Sequence, residues 1–311
     1  MGTPALSGVP FLLRLMKKRP FLMASMTIGA IFLFFLLAVL ITGMVTGRSV
    51  VVSVGNKIGI LEVRGMIVDA QQLIEQISEF RKSRTIKAVV LRIDSPGGGV
   101  APSQEIHAEL KRLAEEKPLV VSMGSIAASG GYYLAVAGER IFANPGTITG
   151  SIGVIMSLPD YQGLMGKIGV RTEVVKSGQF KDIGSSTRDL SDADRQLLQE
   201  MIDNVHAQFV RAISEGRNLP VERLQPFVDG RIFTGEQAQA AGLVDELGTL
   251  SDAVEYAAKV SGLGADPVRF YPQSKDVNYL ERWLQGAAGR YLGVSLPPQV
   301  SSGLQYLWNG Y

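Results

Sequence analysis

At 311 residues, with 46% hydrophobic and 19% charged residues, the chain can bury the core of one large or two modest domains. Its net charge of +2 is too close to neutral to argue for a nucleic acid or an acidic polymer as partner. Zero cysteines exclude a thiol nucleophile, structural disulfides and thiolate metal sites, while 35 glycines point to tight turns and close backbone contacts.

Phe21 to Thr46 runs for 26 positions without a charged residue. As a helix it would reach about 39 Å, enough to cross a hydrocarbon core of roughly 30 Å with tilt. It also exceeds the usual h-region of a signal peptide, about 7–15 residues. An uncleaved anchor over 21–46 is therefore the expectation, with cleavage near Thr46 and Gly47 as the minor alternative. Arg14, Lys17, Lys18 and Arg19 precede the span, against Arg48 and Lys57 after it. That asymmetry leaves residues 1–20 in the cytoplasm and sends the chain beyond residue 47 across the lipid.

The body reads as strands alternating with amphipathic helices. Strands are expected at 57–63 and 88–93, and at 119–122 after Pro118. A helix over Asp69 to Arg84 carries Leu73, Ile74, Ile77 and Phe80 at helical spacing, and another presents Ile106, Leu110 and Leu113. This alternation indicates an α/β domain with a buried, largely parallel sheet, whose ligands gather at the carboxyl ends of strands. Two such ends lead into unusual turns, Pro96-Gly97-Gly98-Gly99 and Ser125-Ile126-Ala127-Ala128-Ser129-Gly130-Gly131. Further short strands are expected at 141–143, 151–155 and 171–176. A long helix comes next over Asp192 to Gly216, capped by Ser191 or Asp189, then short helices over 235–241 and 251–260. The domain is placed at 55–263, and 264–311 reads as a tail that drapes over something.

The two histidines, His107 and His206, sit at the borders of apolar helical faces, so a His-dependent triad is poorly supplied. No H-E-x-x-H, P-loop, G-x-G-x-x-G after a strand, or G-x-S-x-G elbow is present, and nothing calls for a metal or a cofactor. A serine activated by a neutral lysine needs none of these, provided that the amine can lose its proton and backbone N–H groups stabilise the oxyanion. Ser129, the glycine turn, and Lys176 or Lys181 supply the parts; composition does not choose between the lysines.

Asp94-Ser95-Pro96-Gly97-Gly98-Gly99-Val100 and the run from Ser122 to Tyr133 resemble the signal peptide peptidase A family. So do Lys176-Ser177-Gly178-Gln179-Phe180-Lys181-Asp182-Ile183 and Val228-Asp229-Gly230-Arg231-Ile232-Phe233-Thr234-Gly235. The resemblance covers about residues 57–260 and is to the short, single-domain form. It implies a Clp-protease/crotonase-like α/β fold and a serine endopeptidase with Ser129 as nucleophile and Lys181, rather than Lys176, as base. It further implies Gly98 and Gly130 as oxyanion donors and Ser151 as a residue that orients the lysine. Asp94 stands where many relatives have Asn, and the tail after 264 matches least. The implied substrates are cleaved signal peptides and other apolar or unfolded peptides. The implied setting is a homo-oligomer anchored in a bacterial inner membrane, with its sites on the extracytoplasmic side. A same-fold protease with one specific protein substrate, a catalytically inactive membrane scaffold and an acyl-CoA enzyme of the same fold are the alternatives; retention of both Ser129 and Lys181 speaks against the scaffold, and placement outside the membrane denies a CoA pool.

Overall fold

The apolar runs fold into the layered α/β architecture that their alternation with helices predicts. The computed structural model describes residues 20–45, 55–272 and 304–308. The chain divides into two units, Met1–Val54 and Gly55–Tyr311. In the first, α1 spans Pro20–Val45, and its side chains are described at 25 and 27–38. Among the described residues no helix is long and apolar enough to cross a membrane. The anchor expected over 21–46 therefore stays an expectation from sequence.

The second unit is built on an eight-stranded sheet. Its central strands are β1 (Lys57–Arg64), β2 (Ile86–Ser95) and β4 (Leu119–Ala128), all parallel. Along β1, Ile58 and Ile60 face one side of the sheet, and Leu61 and Val63 largely fill the other. On β2, Ala88 and Val90 alternate in the same way with Val89, Leu91 and Ile93. Burial on both faces explains why these strands read as continuous apolar runs. One face is covered by α2 (Gln71–Lys82), α3 (Val100–Ala114), α4 (Gly130–Ala135) and α6 (Asp192–Arg217), which comes after a short α5 (Gln162–Lys167). The other face is covered by the carboxyl-terminal helix Leu250–Val260 through Ala253, Val254 and Ala257.

Strand β4 outruns its expected end at 122 because two partners share it. Its first half pairs with β5 (Arg140–Ala143), its second half with β6 (Ile148–Gly150). Between the halves the register against β2 shifts, and the Asp94 carboxylate accepts the Ile126 amide there at 3.1 Å. Asp94 thus closes a backbone irregularity.

Other boundaries moved for identifiable reasons. Ser191 caps α6 in a reciprocal box with Asp194, as its sequence position predicts. Arg217 extends that helix, and Asn218 in the left-handed conformation, rather than Gly216, ends it. The strand expected over 171–176 does not form, and its Val174 and Val175 are exposed. The strand expected at 151–155 is displaced to 148–150, leaving Ile155 in a single bridge.

Candidate active site

Three pieces of backbone converge beyond the carboxyl ends of β2 and β4. After Pro96 the chain turns into β3 (Gly97–Gly99), which Gly97 enters at φ +102°. The Ile67 amide donates to the Gly97 carbonyl and the Gly99 amide to the Ile67 carbonyl, each at 2.8 Å. Alternation along an extended strand then turns the Gly98 amide to the opposite edge. At the end of β4, Ser129 adopts φ 52° and ψ −113° before α4 begins. A non-glycine residue in such a conformation is strained by about 1–3 kcal/mol and persists only where its surroundings impose it. The Ser129 amide donates to the Gly150 carbonyl at 2.8 Å, and Tyr133 donates back to the Ser129 carbonyl at 2.8 Å.

The result is a hydroxyl held by its backbone alone. Ser129 is 1% exposed, and its Oγ is buried with no hydrogen-bond partner among the described residues. Such an orphan costs about 1–3 kcal/mol when no use is made of it. Gly130 packs so tightly that a β-carbon there would lie 2.8 Å from Ser103 Oγ and 3.2 Å from the Gly98 nitrogen. The amides of Gly98 and Gly130 therefore stand close together beside Ser129, the arrangement needed to stabilise an oxygen that gains negative charge.

The remaining sequence-assigned residues divide. Ser151, also left-handed at φ 51°, lies next to Gly150 and so beside Ser129. Lys181 is exposed, and no hydrogen bond or ion pair of its amine occurs among the described residues. The structure does not bring it to Ser129. Lys176 is engaged elsewhere, donating to the Gln179 carbonyl at 2.9 Å and the Asp182 carboxylate at 2.7 Å. Arg188 bonds the same carboxylate at 2.9 Å through both Nε and a terminal nitrogen, and reaches Asp194 at 2.6 Å. Hydrogen bonds from Arg188, then Lys176, hold the Asp182 pKa well below the carboxylate range. Lys176 is thus a partner in an ion cluster and is engaged away from Ser129.

Neither histidine faces Ser129 as a partner. His107 packs at a tilt against Tyr133 with centroids 4.8 Å apart, and burial, reinforced by Lys111, lowers its pKa to about 4. It is neutral at physiological pH. Three features escaped sequence reasoning: the left-handed Gly97, the strand partner Ile67, and the segment Gln305–Leu307, which forms a short strand against β3. The glycine run signals the first; the tail offered only scattered aromatics.

With this geometry in view, similarity to known proteins is informative. Residues 111–264 match peptidase family S49, and residues 60–147 match Clp protease. A Synechocystis sp. protein named as a protease is 46% identical over 217 residues, covering 70% of this chain and 78% of that one. An Enterococcus faecium protein named as a signal peptide peptidase is 32% identical, over 77% of this chain and 73% of its own. Protease 4 of Salmonella typhi is 35% identical over 72% of this chain and 38% of its own.

Proposed function

The chain belongs to peptidase family S49 and is a serine peptidase with a Clp protease-like α/β domain, and from that premise we propose a membrane-anchored endopeptidase with a Ser129–Lys181 dyad. The observation that carries the reading is the buried, unpartnered Ser129 hydroxyl in a strained turn beside the Gly98 and Gly130 amides. Ser129 Oγ adds to the scissile carbonyl while neutral Lys181 accepts its proton. The Gly98 and Gly130 amides hold the oxyanion; Lys181 returns the proton to the leaving amine and then activates a water that hydrolyses the acyl-enzyme. Ser151 orients the lysine. The exposed position of Lys181 requires its segment to close on Ser129, within the chain or from a neighbouring copy.

Exposed Leu164, Ile168, Val174 and Val175 on that segment support association between copies. The uncharged run 21–46 supports an inner-membrane anchor with the peptidase on the extracytoplasmic side. Apolar peptides left in the bilayer, cleaved signal peptides among them, are the substrates that such an anchor places within reach.

The test is hydrolysis of an apolar peptide by the full chain in detergent, for wild type, Ser129→Ala, Lys181→Ala and Lys176→Ala. Ser129→Ala and Lys181→Ala lose at least a thousandfold in kcat, and Lys176→Ala less than tenfold. Activity in Ser129→Ala sinks the mechanism; loss confined to Lys176→Ala transfers the base to that residue.

A further inference from the structure

The turn that aims the Gly98 amide is held by a side chain with no role in the mechanism so far. Ser95, the last residue of β2, is fully buried, and its Oγ accepts the Gly97 amide at 3.1 Å. This is a serine turn, in which a hydroxyl takes the place of a backbone acceptor two residues earlier. The groups around it are committed as well. Ile67 binds the Gly97 carbonyl and the Gly99 amide, and the buried Ser103 hydroxyl donates to the Gly99 carbonyl at 2.8 Å.

Gly97 does not hold itself. Glycine populates positive and negative φ about equally, so φ +102° has to be imposed from outside. Pro96 fixes only its own φ. The Gly97 carbonyl and the Gly98 N–H belong to one planar peptide unit, so whatever turns the first turns the second. Ser95 Oγ anchors Gly97 on its amide side and Ile67 anchors it on its carbonyl side, which together fix both torsions. Ser95 also meets the arm that carries the nucleophile. It is paired with Ala127, two residues before Ser129, and a β-carbon on Gly131 would lie 2.8 Å from its carbonyl oxygen. One residue therefore ties the glycine strand to the Ser129 turn.

We propose that Ser95 is a positioning residue for the peptidase reaction: its hydroxyl clamps Gly97 and so keeps the Gly98 N–H aimed at the oxyanion. It touches no reacting atom. The inference rests on the proposed site, in which Ser129 attacks and Gly98 stabilises. Without the hydroxyl, a buried amide loses its acceptor, Gly97 relaxes, and the Gly98 N–H swings off target. A neutral ground-state carbonyl loses little by this; the transition state, with its charged oxygen, loses much.

The experiment measures kcat and KM for an apolar peptide, and the Ki of the matching peptide aldehyde, with the full chain in detergent. The aldehyde adds to the Ser129 hydroxyl, and the oxygen of that tetrahedral adduct needs the same amides as the transition state. Ser95→Ala lowers kcat about ten- to hundredfold, part of the roughly 10²–10³ that a whole donor is worth, with KM within twofold. Its aldehyde Ki rises by a similar factor. Ser95→Thr, which keeps the oxygen, recovers kcat to within threefold of wild type. Thr147→Val is the control: the Thr147 hydroxyl is also buried and accepts the Asn144 amide at 3.1 Å, between β5 and β6. Its loss costs stability and leaves kcat and Ki unchanged. A Ser95→Ala kcat within twofold of wild type, an unchanged Ki, an equal fall in Thr147→Val, or a Thr variant as slow as the Ala variant overturns the inference. If Ser95→Ala does not fold, Ser95→Cys decides, since its thiol is a weaker acceptor. A kcat at least threefold lower at constant KM supports the clamp, and a wild-type kcat overturns it. Ser129→Ala separates the two levels: hydrolysis that survives there removes the site reading itself, whereas an inactive Ser129→Ala beside a fully active Ser95→Ala removes only the clamp.

Discussion

Replacing Gly97 with alanine strikes the strand that carries the proposed oxyanion donor Gly98. At φ +102° an L-residue is strained by about 1–3 kcal/mol. The new β-carbon would also meet the Tyr306 carbonyl and approach the Gly130 nitrogen to 2.7 Å, and both are backbone atoms that no rotamer change can move. The strand has to shift, and the Gly98 amide shifts with it. Losing one aimed oxyanion donor costs about 2.7–4 kcal/mol, or roughly 10²–10³ in kcat. Gly65→Ala is the control: Gly65 has φ +69°, and nothing lies within 4 Å of the β-carbon it would gain. It incurs a similar backbone strain, about 1–2 kcal/mol of stability, and keeps its kcat. The assay is kcat at saturating apolar peptide, with thermal unfolding of each variant alongside. A Gly97→Ala enzyme within twofold of wild-type kcat would refute the assignment of this strand to the oxyanion.

The His107 pKa is lowered from 6.5 to about 4, so the unfolded chain takes up a proton near pH 6.5 that the folded chain refuses until about pH 4. Stability contributed by this group is present above pH 6.5 and falls as pH drops through that window, by up to about 3 kcal/mol. In His107→Gln, urea unfolding shows a loss between pH 7 and 4.5 smaller by about 2 kcal/mol than in wild type; an unchanged loss counts against the buried neutral ring. Arg217 is 7% exposed and pairs with Asp245 at 2.6 Å, so Arg217→Met strands a half-buried carboxylate and destabilises by about 3 kcal/mol. A loss below about 1 kcal/mol in urea would show that the pair is solvated. In Asp182→Asn the cluster of Lys176, Arg188 and Asp194 loses its central charge. With Lys181 adjacent in sequence, the expected result is a fall in kcat of about tenfold with KM nearly unchanged, read from steady-state kinetics; an unchanged kcat means that the cluster does not position the base.

How much was legible in the chain varies with what each residue depends on. The central strands could be read because burial on both faces leaves only apolar residues, and Ser191 could be read as a cap because its box with Asp194 is local. Ser129, Gly98 and Gly130 share one short neighbourhood fixed by two strand ends, so the three residues that the resemblance implied lie together. Lys181 is different: the stretch before it, 171–176, is expected as a strand from its alternation, but alternation alone does not make one. The tail was least legible. Its pairing with β3 joins residues some two hundred positions apart, and three residues of strand carry no periodicity to read.

The central claim is that Ser129 is a nucleophile made reactive by Lys181, and covalent labelling with a fluorophosphonate tests it most directly. The full chain in detergent is labelled from pH 6 to 10, and the adduct is located by mass spectrometry of its fragments. The expected adduct lies on Ser129, forms faster as pH rises, and forms at least a hundredfold more slowly in Lys181→Ala. An adduct on another residue, or a Lys181→Ala chain labelled at the wild-type rate, would contradict the claim.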